Sequence, residues 1–301
     1  MTRRLAGIEA GGTKVIAVIG NDRGEIEAEF AVPTTTPAET LSSIVDFVRK
    51  HHAASPIEVI GIGCFGPIDM TLSSKTYGAI TSTPKLAWRN FNIVDYFKIA
   101  LALPIVFDTD VNAALLGEIA WGAAQGIKNA LYFTIGTGIG AGAMVGGQLV
   151  HGVMHTEMGH TLIPHDRIRD PFKGVCSSHG DCFEGLASGP ALKERWSVRS
   201  AMDLPPDHPA WILEAEYLSL AMANAILCFS PERILLGGGV MKQTQLLPHI
   251  HRRTVELLAG YIENKSITHI EQTIVLASSN AGPCGVLALA STEKSARTST
   301  Y

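Results

Sequence analysis

The stretch LAGIEAGGTKVIAVIG, residues 5–20, gives the clearest indication of the fold of this chain. Two apolar runs flank a bend made of Gly11, Gly12 and Thr13, and this pattern predicts a β-hairpin. The pattern returns at residues 130–149, which read ALYFTIGTGIGAGAMVGGQL. In both places a strand runs through a Gly/Thr bend into a second apolar strand. We therefore predict that the chain contains a duplicated domain.

Length and composition bound the class of protein. A chain of 301 residues exceeds the size at which one hydrophobic core stops growing, so two domains are expected. A net charge of −4 gives no electrostatic signature of a nucleic-acid or membrane partner, and no apolar run reaches the length of a membrane span. Five cysteines, a low and odd number, argue against a disulfide framework and favour a reducing, cytoplasmic location.

The segments after the two hairpins also correspond. After the first, Thr36 to Glu39 read TPAE, a capping box that predicts a helix, and the strand EVIGIG follows at 58–63. After the second, a long helix is predicted at about 209–229, followed by the strand RILL at 233–236. Strand–helix–strand order in both halves predicts two α/β domains.

The glycine bends are either ordinary turns or anion sites, because glycine permits close backbone approach and successive N–H groups form a concave anion site. Neither bend fits a P-loop, and GTGIGAG continues as a strand rather than opening a helix, so a Rossmann fingerprint is excluded. Paired hairpins in duplicated domains resemble the actin/hexokinase (ribonuclease H-like) superfamily. That resemblance implies that both hairpins hold ATP phosphates in an interdomain cleft, and that the GGGVM turn, 237–241, receives the nucleoside.

An acidic pair lies in IVFDTDVNAALLGE, residues 105–118, where a predicted strand runs into a predicted helix. Asp110 is expected as the N-cap of that helix, worth about 1 kcal/mol. Asp108 or Asp110 can also act as the general base for a hydroxyl that attacks a γ-phosphate. The spacing alone does not choose between the two carboxylates.

Seven ordered motifs together resemble the ROK family of bacterial sugar kinases and repressors. They are GIEAGGTK, FGPID, TPKLAW, DTDVNAALLGE, IGTGIGAGAMVGGQLVHG, EMGH and LLGGGVM, and CSSHGDCFEGLASGP is similar to the fructokinase branch of the family. We place the first domain at residues 1–115, with a helix at 283–294 packed back on it, and the second at 116–282. The resemblance implies an ATP:hexose 6-phosphotransferase that requires Mg²⁺ and forms a homodimer.

The resemblance also implies roles for individual residues. Asp110 matches the catalytic base, and Glu9 stands near the Mg²⁺, contacting it through water. The expected sugar ligands are Gly66, Pro67, Asn112, Glu157, His160 and Glu184. The expected nucleotide ligands are Gly11, Gly12, Thr13, Lys14, Gly136, Thr137, Gly138, Pro190, Gly237, Gly238, Gly239, Val240 and Met241.

The spacing C-x₂-H-x₂-C of Cys176, His179 and Cys182 suggests a zinc site, although a chance turn remains an alternative. Tetrahedral zinc needs a fourth ligand, for which His160 and His165 are the candidates, and the resemblance favours His160. Four protein ligands would make the site structural. Since Glu184 follows the cluster as a sugar ligand, we expect this zinc to shape the sugar site without affecting the phosphates.

The activity that the resemblance implies is phosphorylation of D-fructose at its 6-hydroxyl. The nearest alternatives are kinases for mannose, glucose or an N-acetylhexosamine, and a non-catalytic sugar-sensing protein is a further one. ROK repressors carry an N-terminal helix-turn-helix. Because the first predicted strand begins at residue 5, we do not expect that domain here.

Overall fold

The computed structural model describes residues 2–293 and divides into two compact units. Of the described residues, the first unit contains 2–125, the short segment His151–His155 and 280–293. The second unit contains Gly126–Val150 and Thr156–Ser279. The helix expected at 283–294 is observed as Ala281–Ser291 in the first unit, and residue 294 lies outside the described part of the chain.

The first unit is built on a five-stranded sheet. Its elements before Gln125 are β1 (Arg4–Ala10), β2 (Lys14–Asn21), β3 (Ile26–Pro33), α1 (Pro37–Ala54), β4 (Val59–Cys64), α2 (Ile93–Leu101), β5 (Ile105–Thr109) and α3 (Asp110–Trp121), with a short 3₁₀ helix at Leu86–Trp88. The strand order is β3-β2-β1-β4-β5, with β1, β4 and β5 parallel and the first two hairpin connections antiparallel.

Apolar cores cover both faces of this sheet, because successive apolar residues along its strands point to opposite faces. Along β2, Val15, Ala17 and Ile19 join the core that includes α1 and α2, whereas Ile16 and Val18 join the core formed with the C-terminal helix. The capping box predicted for α1 is confirmed, since Thr36 and Glu39 cap each other's backbone N–H groups.

The second unit repeats this plan. Its elements are β6 (Ala130–Ile135), β7 (Ile139–Val145), β8 (Gln148–Leu149), α4 (Phe183–Ala187), α5 (Gly189–Arg195), α6 (Ala210–Phe229), β9 (Arg233–Gly237), α7 (Leu246–Leu258), α8 (Lys265–Thr268), α9 (Ile270–Thr273) and β10 (Ile274–Leu276), with 3₁₀ helices at Met158–His160, Ala201–Asp203 and Val240–Lys242. The order β8-β7-β6-β9-β10 matches the first sheet strand for strand in position and direction. The predicted duplicated α/β fold is confirmed.

The final helix, α10 (Ala281–Ser291), packs against α3 and against strands β1 and β4 of the first unit. Small residues allow the two helices to approach closely. A Cβ at Gly117 would lie 2.7 Å from the backbone nitrogen of Gly285. Side chains on α10, such as Val286 and Leu287, complete the second face of the first sheet.

One helix among the described residues, α6, is long and apolar enough to cross a membrane. More than half of its most apolar window is buried inside the second unit, where Trp211, Leu218, Met222 and Ile226 join the core. A core helix of a globular domain passes the same test of length and composition, so α6 gives no support to a membrane span.

Candidate functional site

Three segments with predicted roles meet at one edge of the first sheet. The parallel register pairs Ala10 with Cys64 and Cys64 with Thr109, so β1, β4 and β5 end side by side. The first glycine bend, the Gly66-Pro67 turn and the start of α3 therefore emerge at neighbouring positions. The carboxyl edge of parallel strands is where open α/β sheets bind ligands.

The two candidate carboxylates at this edge have different surroundings. Asp108 is buried, and its Oδ1 accepts hydrogen bonds from the Thr109 N–H at 2.7 Å and the Asn112 side-chain amide at 2.8 Å. Its Oδ2 lies 2.9 Å from Nε2 of His151. Both oxygens of Asp108 are thus already engaged, and this carboxylate is poorly placed to take a proton from a substrate.

Asp110 is the better candidate for the general base. It is half-buried, and its Oδ1 accepts a hydrogen bond from the Val111 N–H at 2.9 Å. Burial raises the pKa of Asp110 to about 6, and the backbone hydrogen bond to Val111 partly offsets that increase. A carboxylate with a pKa near the working pH is both ionised and basic enough for proton abstraction.

The expected capping role of Asp110 is wrong. The N-cap of α3 is Thr109, whose hydroxyl accepts a hydrogen bond from the Asn112 N–H at 3.1 Å. Asp110 occupies the first helical position instead. Because the Thr109 hydroxyl already accepts a hydrogen bond from a backbone N–H in the first turn of α3, the Asp110 side chain is not needed as the cap.

His151 belongs to this site, although no local sequence pattern predicts a role for it. It pairs with Asp108, and this hydrogen bond raises the pKa of His151. Asn112, expected to bind a sugar hydroxyl, is almost fully buried and donates its amide to Asp108, while its Oδ1 has no hydrogen-bond partner. The structure thus places Asn112 in an Asp108–Asn112–His151 cluster, in which Asp108 and Asn112 are buried and His151 is exposed.

Glu9 provides a second carboxylate close to Asp110. Burial raises the pKa of Glu9 to about 7, and the negative charge of Asp110 adds to the increase. Its Oε2 is buried without a hydrogen-bond partner. Two neighbouring carboxyl groups, one with an unpaired oxygen, suit a divalent cation and its bound waters, so Glu9 fits the expected Mg²⁺ position.

The raised pKa of Glu9 also links this residue to stability. The folded state holds the Glu9 proton more tightly than the unfolded chain does, so the group favours folding only at low pH. That contribution falls as the pH rises from about 4.5 to about 7. A bound cation would stabilise the charged form of Glu9 and so would offset this loss of folding stability.

The first glycine bend is held in place by the strand beside it. The Gly11 N–H donates to the Lys14 carbonyl at 3.1 Å, and the Thr34 hydroxyl donates to the Gly11 carbonyl at 2.8 Å. Lys14 is exposed, whereas the side chain of Lys85 lies directly over Gly12, with Cε 3.4 Å from where a Cβ would be. Lys85 therefore places a cation beside the expected phosphate position.

The second unit brings the remaining nucleotide candidates together. The Gly189 N–H donates to the Gly136 carbonyl at 2.8 Å, which places the exposed Pro190 beside the second bend. A Cβ at Gly136 would lie 3.7 Å from the backbone nitrogen of Gly239. The second bend, Gly136–Gly138, and the turn after β9 are thus neighbours.

The GGGVM turn offers backbone rather than side chains. Gly238 has φ of 90°, a conformation that disfavours any other residue, and a Cβ at Gly239 would meet no atom within 4 Å. Val240 and Met241 are buried, so their side chains belong to the core. A flat ligand at this turn would contact the open backbone at Gly239.

The cysteine–histidine cluster forms one compact group in the second unit. The ligand atoms of His160, Cys176, His179 and Cys182 all lie within 4.8 Å of one another. Nδ1 of His160 is 3.6 Å from Cys176 Sγ and 3.5 Å from Cys182 Sγ. Tetrahedral zinc with usual bond lengths separates sulfur and nitrogen ligands by about 3.5 Å. The four side chains therefore fit zinc.

His165, the other candidate for the fourth ligand, is not part of this group. Its side chain is buried, its Nδ1 lies 2.9 Å from Asp181 Oδ2 and its Nε2 lies 2.9 Å from the Asp170 carbonyl.

Burial raises the pKa of the Cys182 thiol to about 11, and a metal ion would displace that proton on binding.

The expected sugar ligands are divided between the two units. Gly66, Pro67 and Asn112 lie in the first, and Glu157, His160 and Glu184 in the second. Glu157 begins the 3₁₀ turn that ends at His160. Glu184 has a further contact, because its Oε2 accepts a hydrogen bond from the Ile139 N–H at 2.8 Å.

Comparison with known proteins agrees with this geometry. The fructokinase of Lactococcus lactis subsp. cremoris is 44% identical over 256 residues, covering 85% of this chain and 86% of that protein. The fructokinase of Zymomonas mobilis subsp. mobilis is 42% identical over 290 residues, covering 94% and 95%. Among solved structures, the ROK hexokinase from Thermus thermophilus matches with a TM-score of 0.75 at 25% identity, covering 95% of this chain and 97% of that one.

The family profile described as the ROK family matches residues 5–293, nearly the whole chain. This match confirms the resemblance carried by the seven ordered motifs. The chain belongs to the ROK family.

Proposed function

We propose that this protein is a fructokinase that transfers the γ-phosphoryl group of ATP to the 6-hydroxyl of D-fructose. The observation that carries the proposal is Asp110, a carboxylate with a raised pKa at the carboxyl edge of the first sheet, in a chain 42–44% identical to proteins named fructokinase. The similarity covers 86% and 95% of the length of these two relatives, so the same reaction is the best-supported function.

Asp110 accepts the proton of the 6-hydroxyl as that oxygen attacks the γ-phosphorus. The Asp108–Asn112–His151 cluster holds the first turn of α3 in place, because the Asn112 side chain in α3 is hydrogen-bonded to Asp108 near the end of β5. Mg²⁺, when bound with ATP beside Glu9, neutralises charge on the phosphate oxygens. The remaining catalysis comes from alignment of the hydroxyl with the phosphorus.

On the phosphate side, the backbone N–H groups of Gly12 and Thr13 and of Thr137 and Gly138 are proposed to contact ATP. Lys85, above Gly12, supplies positive charge near the γ-phosphate. The nucleoside lies on the open backbone at Gly239, with Pro190 beside it. Each of these assignments uses an element that the fold brings to a strand end or a hairpin tip.

On the sugar side, Glu157 and His160 are proposed to bind hydroxyl groups. A metal ion in the cluster would be bound by Nδ1 of His160, the ring nitrogen nearest both sulfurs. Its Nε2–H can then donate to a sugar oxygen, so His160 can serve both sites. We propose zinc as the resident ion, since two thiolates and two imidazoles are its preferred ligands.

The proposed substrate is tested with a panel of sugars, each with saturating ATP and Mg²⁺. We expect kcat/KM for fructose to exceed the values for mannose, glucose and N-acetylmannosamine by at least about tenfold, a difference of about 1.4 kcal/mol in transition-state binding. Release of ADP measured without any sugar is the background control. Equal values for all hexoses would contradict the fructokinase assignment and indicate a general hexose kinase.

The chain is also proposed to act as a homodimer. Ile212 and Leu227 of α6 are 49% and 54% exposed, and Leu213 and Leu220 of the same helix are only partly buried where they pack on the core. Such exposed apolar side chains suit association with a second copy. Light scattering should give twice the chain mass for the wild type and the single chain mass for Leu227→Glu, and a monomeric wild type would refute the proposal.

A further inference from the structure

The contact between Glu184 and the second phosphate hairpin has a consequence for the metal cluster. Glu184 stands two residues after Cys182 in α4, and its Oε2 accepts a hydrogen bond from the Ile139 N–H, the first residue after the Gly136–Gly138 bend. The contact is close, since a Cβ at Gly138 would lie 2.6 Å from that oxygen. A side chain at position 138 would therefore displace this carboxylate from its present position.

On its carbonyl side, Ile139 is in contact with the EMGH turn, residues 157–160. A Cβ at Gly159 would overlap the Ile139 carbonyl oxygen, so the backbones of the turn and the hairpin lie in direct contact. Gly159 precedes His160, one of the four clustered ligands. Ile139 therefore lies between two segments, 157–160 and 182–184, and each segment carries a ligand of the cluster.

These two segments are also joined to each other. The Phe183 N–H donates to the Thr161 carbonyl at 2.9 Å, and Nδ1 of His160 lies 3.5 Å from Cys182 Sγ. A metal ion bound by His160 and Cys182 would fix their separation. At the far end of the bend, the Gly189 N–H holds the Gly136 carbonyl, so the segment that follows Cys182 supports the hairpin at both ends.

We propose that Glu184 is a positioning residue for the nucleotide phosphates: its carboxylate transmits the order of the metal cluster to the second phosphate hairpin through the Ile139 N–H. This inference rests on the proposed role of that hairpin in binding ATP. It differs from the expectation that the metal acts on the sugar side alone. The second carboxylate oxygen of Glu184 stays available to a sugar hydroxyl, so both roles are compatible.

The test compares Glu184→Ala with Glu184→Gln, which keeps an oxygen that can accept from Ile139. Two quantities are measured for each variant: the Kd of the ATP analogue AMP-PNP with Mg²⁺ by calorimetry, and amide hydrogen exchange across residues 136–145. For Glu184→Ala we expect a Kd about tenfold higher and faster exchange at Ile139, from loss of a hydrogen bond to a charged acceptor. Glu184→Gln should restore most of both.

Glu194→Ala is the matched control, because it is the same chemical change at an exposed carboxylate on the adjacent α5. It should leave both quantities unchanged. Unaltered exchange in α6 shows that Glu184→Ala is folded. Wild-type protein stripped of metal should show the same faster exchange at Ile139 as Glu184→Ala.

Two results would overturn the inference. One is a Glu184→Ala variant whose AMP-PNP affinity and Ile139 exchange match the wild type while only the KM for sugar rises. The other is a Glu184→Gln variant as impaired as Glu184→Ala in exchange. Failure of the proposed function is distinguishable, since a wild type that phosphorylates no hexose can still show the Glu184-dependent change in AMP-PNP affinity and exchange.

Discussion

In the Asp110→Asn variant we expect kcat to fall about 10³-fold, while the affinity for fructose stays within about threefold of the wild type. The amide is nearly the same size as the carboxylate and can keep the hydrogen bond from the Val111 N–H, so the fold of α3 is retained. Only the capacity to accept the hydroxyl proton is lost. Steady-state kinetics and calorimetric titration with fructose measure the two quantities.

The pH profile provides an independent test of the same base. Because the pKa of Asp110 is about 6, kcat/KM should decline as the pH falls through that value and the carboxylate becomes protonated. Asp110→Asn should lack this acidic limb. The exposed Asp46 of α1 offers the matched control, and Asp46→Asn should retain both the rate and the limb. Near-normal turnover in Asp110→Asn would show that a group other than Asp110 acts as the general base.

Removal of a metal ligand should have the second large effect. For Cys182→Ser we expect the bound zinc to fall from one ion per chain to nearly none, and Tm to drop by about 10 °C. Cys182 is fully buried and lies between the EMGH turn and α4, so the loss of the ion leaves two segments without a common anchor. Elemental analysis and thermal unfolding provide the measurements.

Cys228→Ser is the control for this experiment. Cys228 is exposed near the end of α6 and lies outside the cluster, so its replacement should change neither the zinc content nor Tm. A chelator applied to the wild type should reproduce the Cys182→Ser result. A Cys182→Ser protein with full zinc content, or a zinc-free wild type of unchanged Tm, would show that the cluster is only a turn.

The fold could be predicted because its signals are local. The Gly/Thr bends and the capping box at Thr36 each occupy a few consecutive residues, and their recurrence indicated the duplication. The error at the start of α3 has the same origin. Thr109 and Asp110 are both good capping residues, and local pattern does not say which one takes the cap.

The site could be predicted only in part, because its chemistry depends on residues distant in sequence. The preference for Asp110 over Asp108 as the proposed base depends on the contact between Asp108 and His151, a single histidine that no local pattern distinguishes. His160 and His165 are equally plausible zinc ligands by spacing. The structure separates them because the ring of His165 is already engaged by Asp181 and the Asp170 carbonyl.

The position of α10 in the first unit has a consequence for biosynthesis. One face of the first sheet is completed by Val286, Leu287, Leu289 and Ala290, which are translated after the whole second unit. A nascent chain released at residue 125 would leave that apolar face exposed, whereas the second unit has all its strands by residue 276. We therefore expect the domain that is made first to complete its core only after the C-terminal helix has been translated, with an apolar face open to aggregation until then.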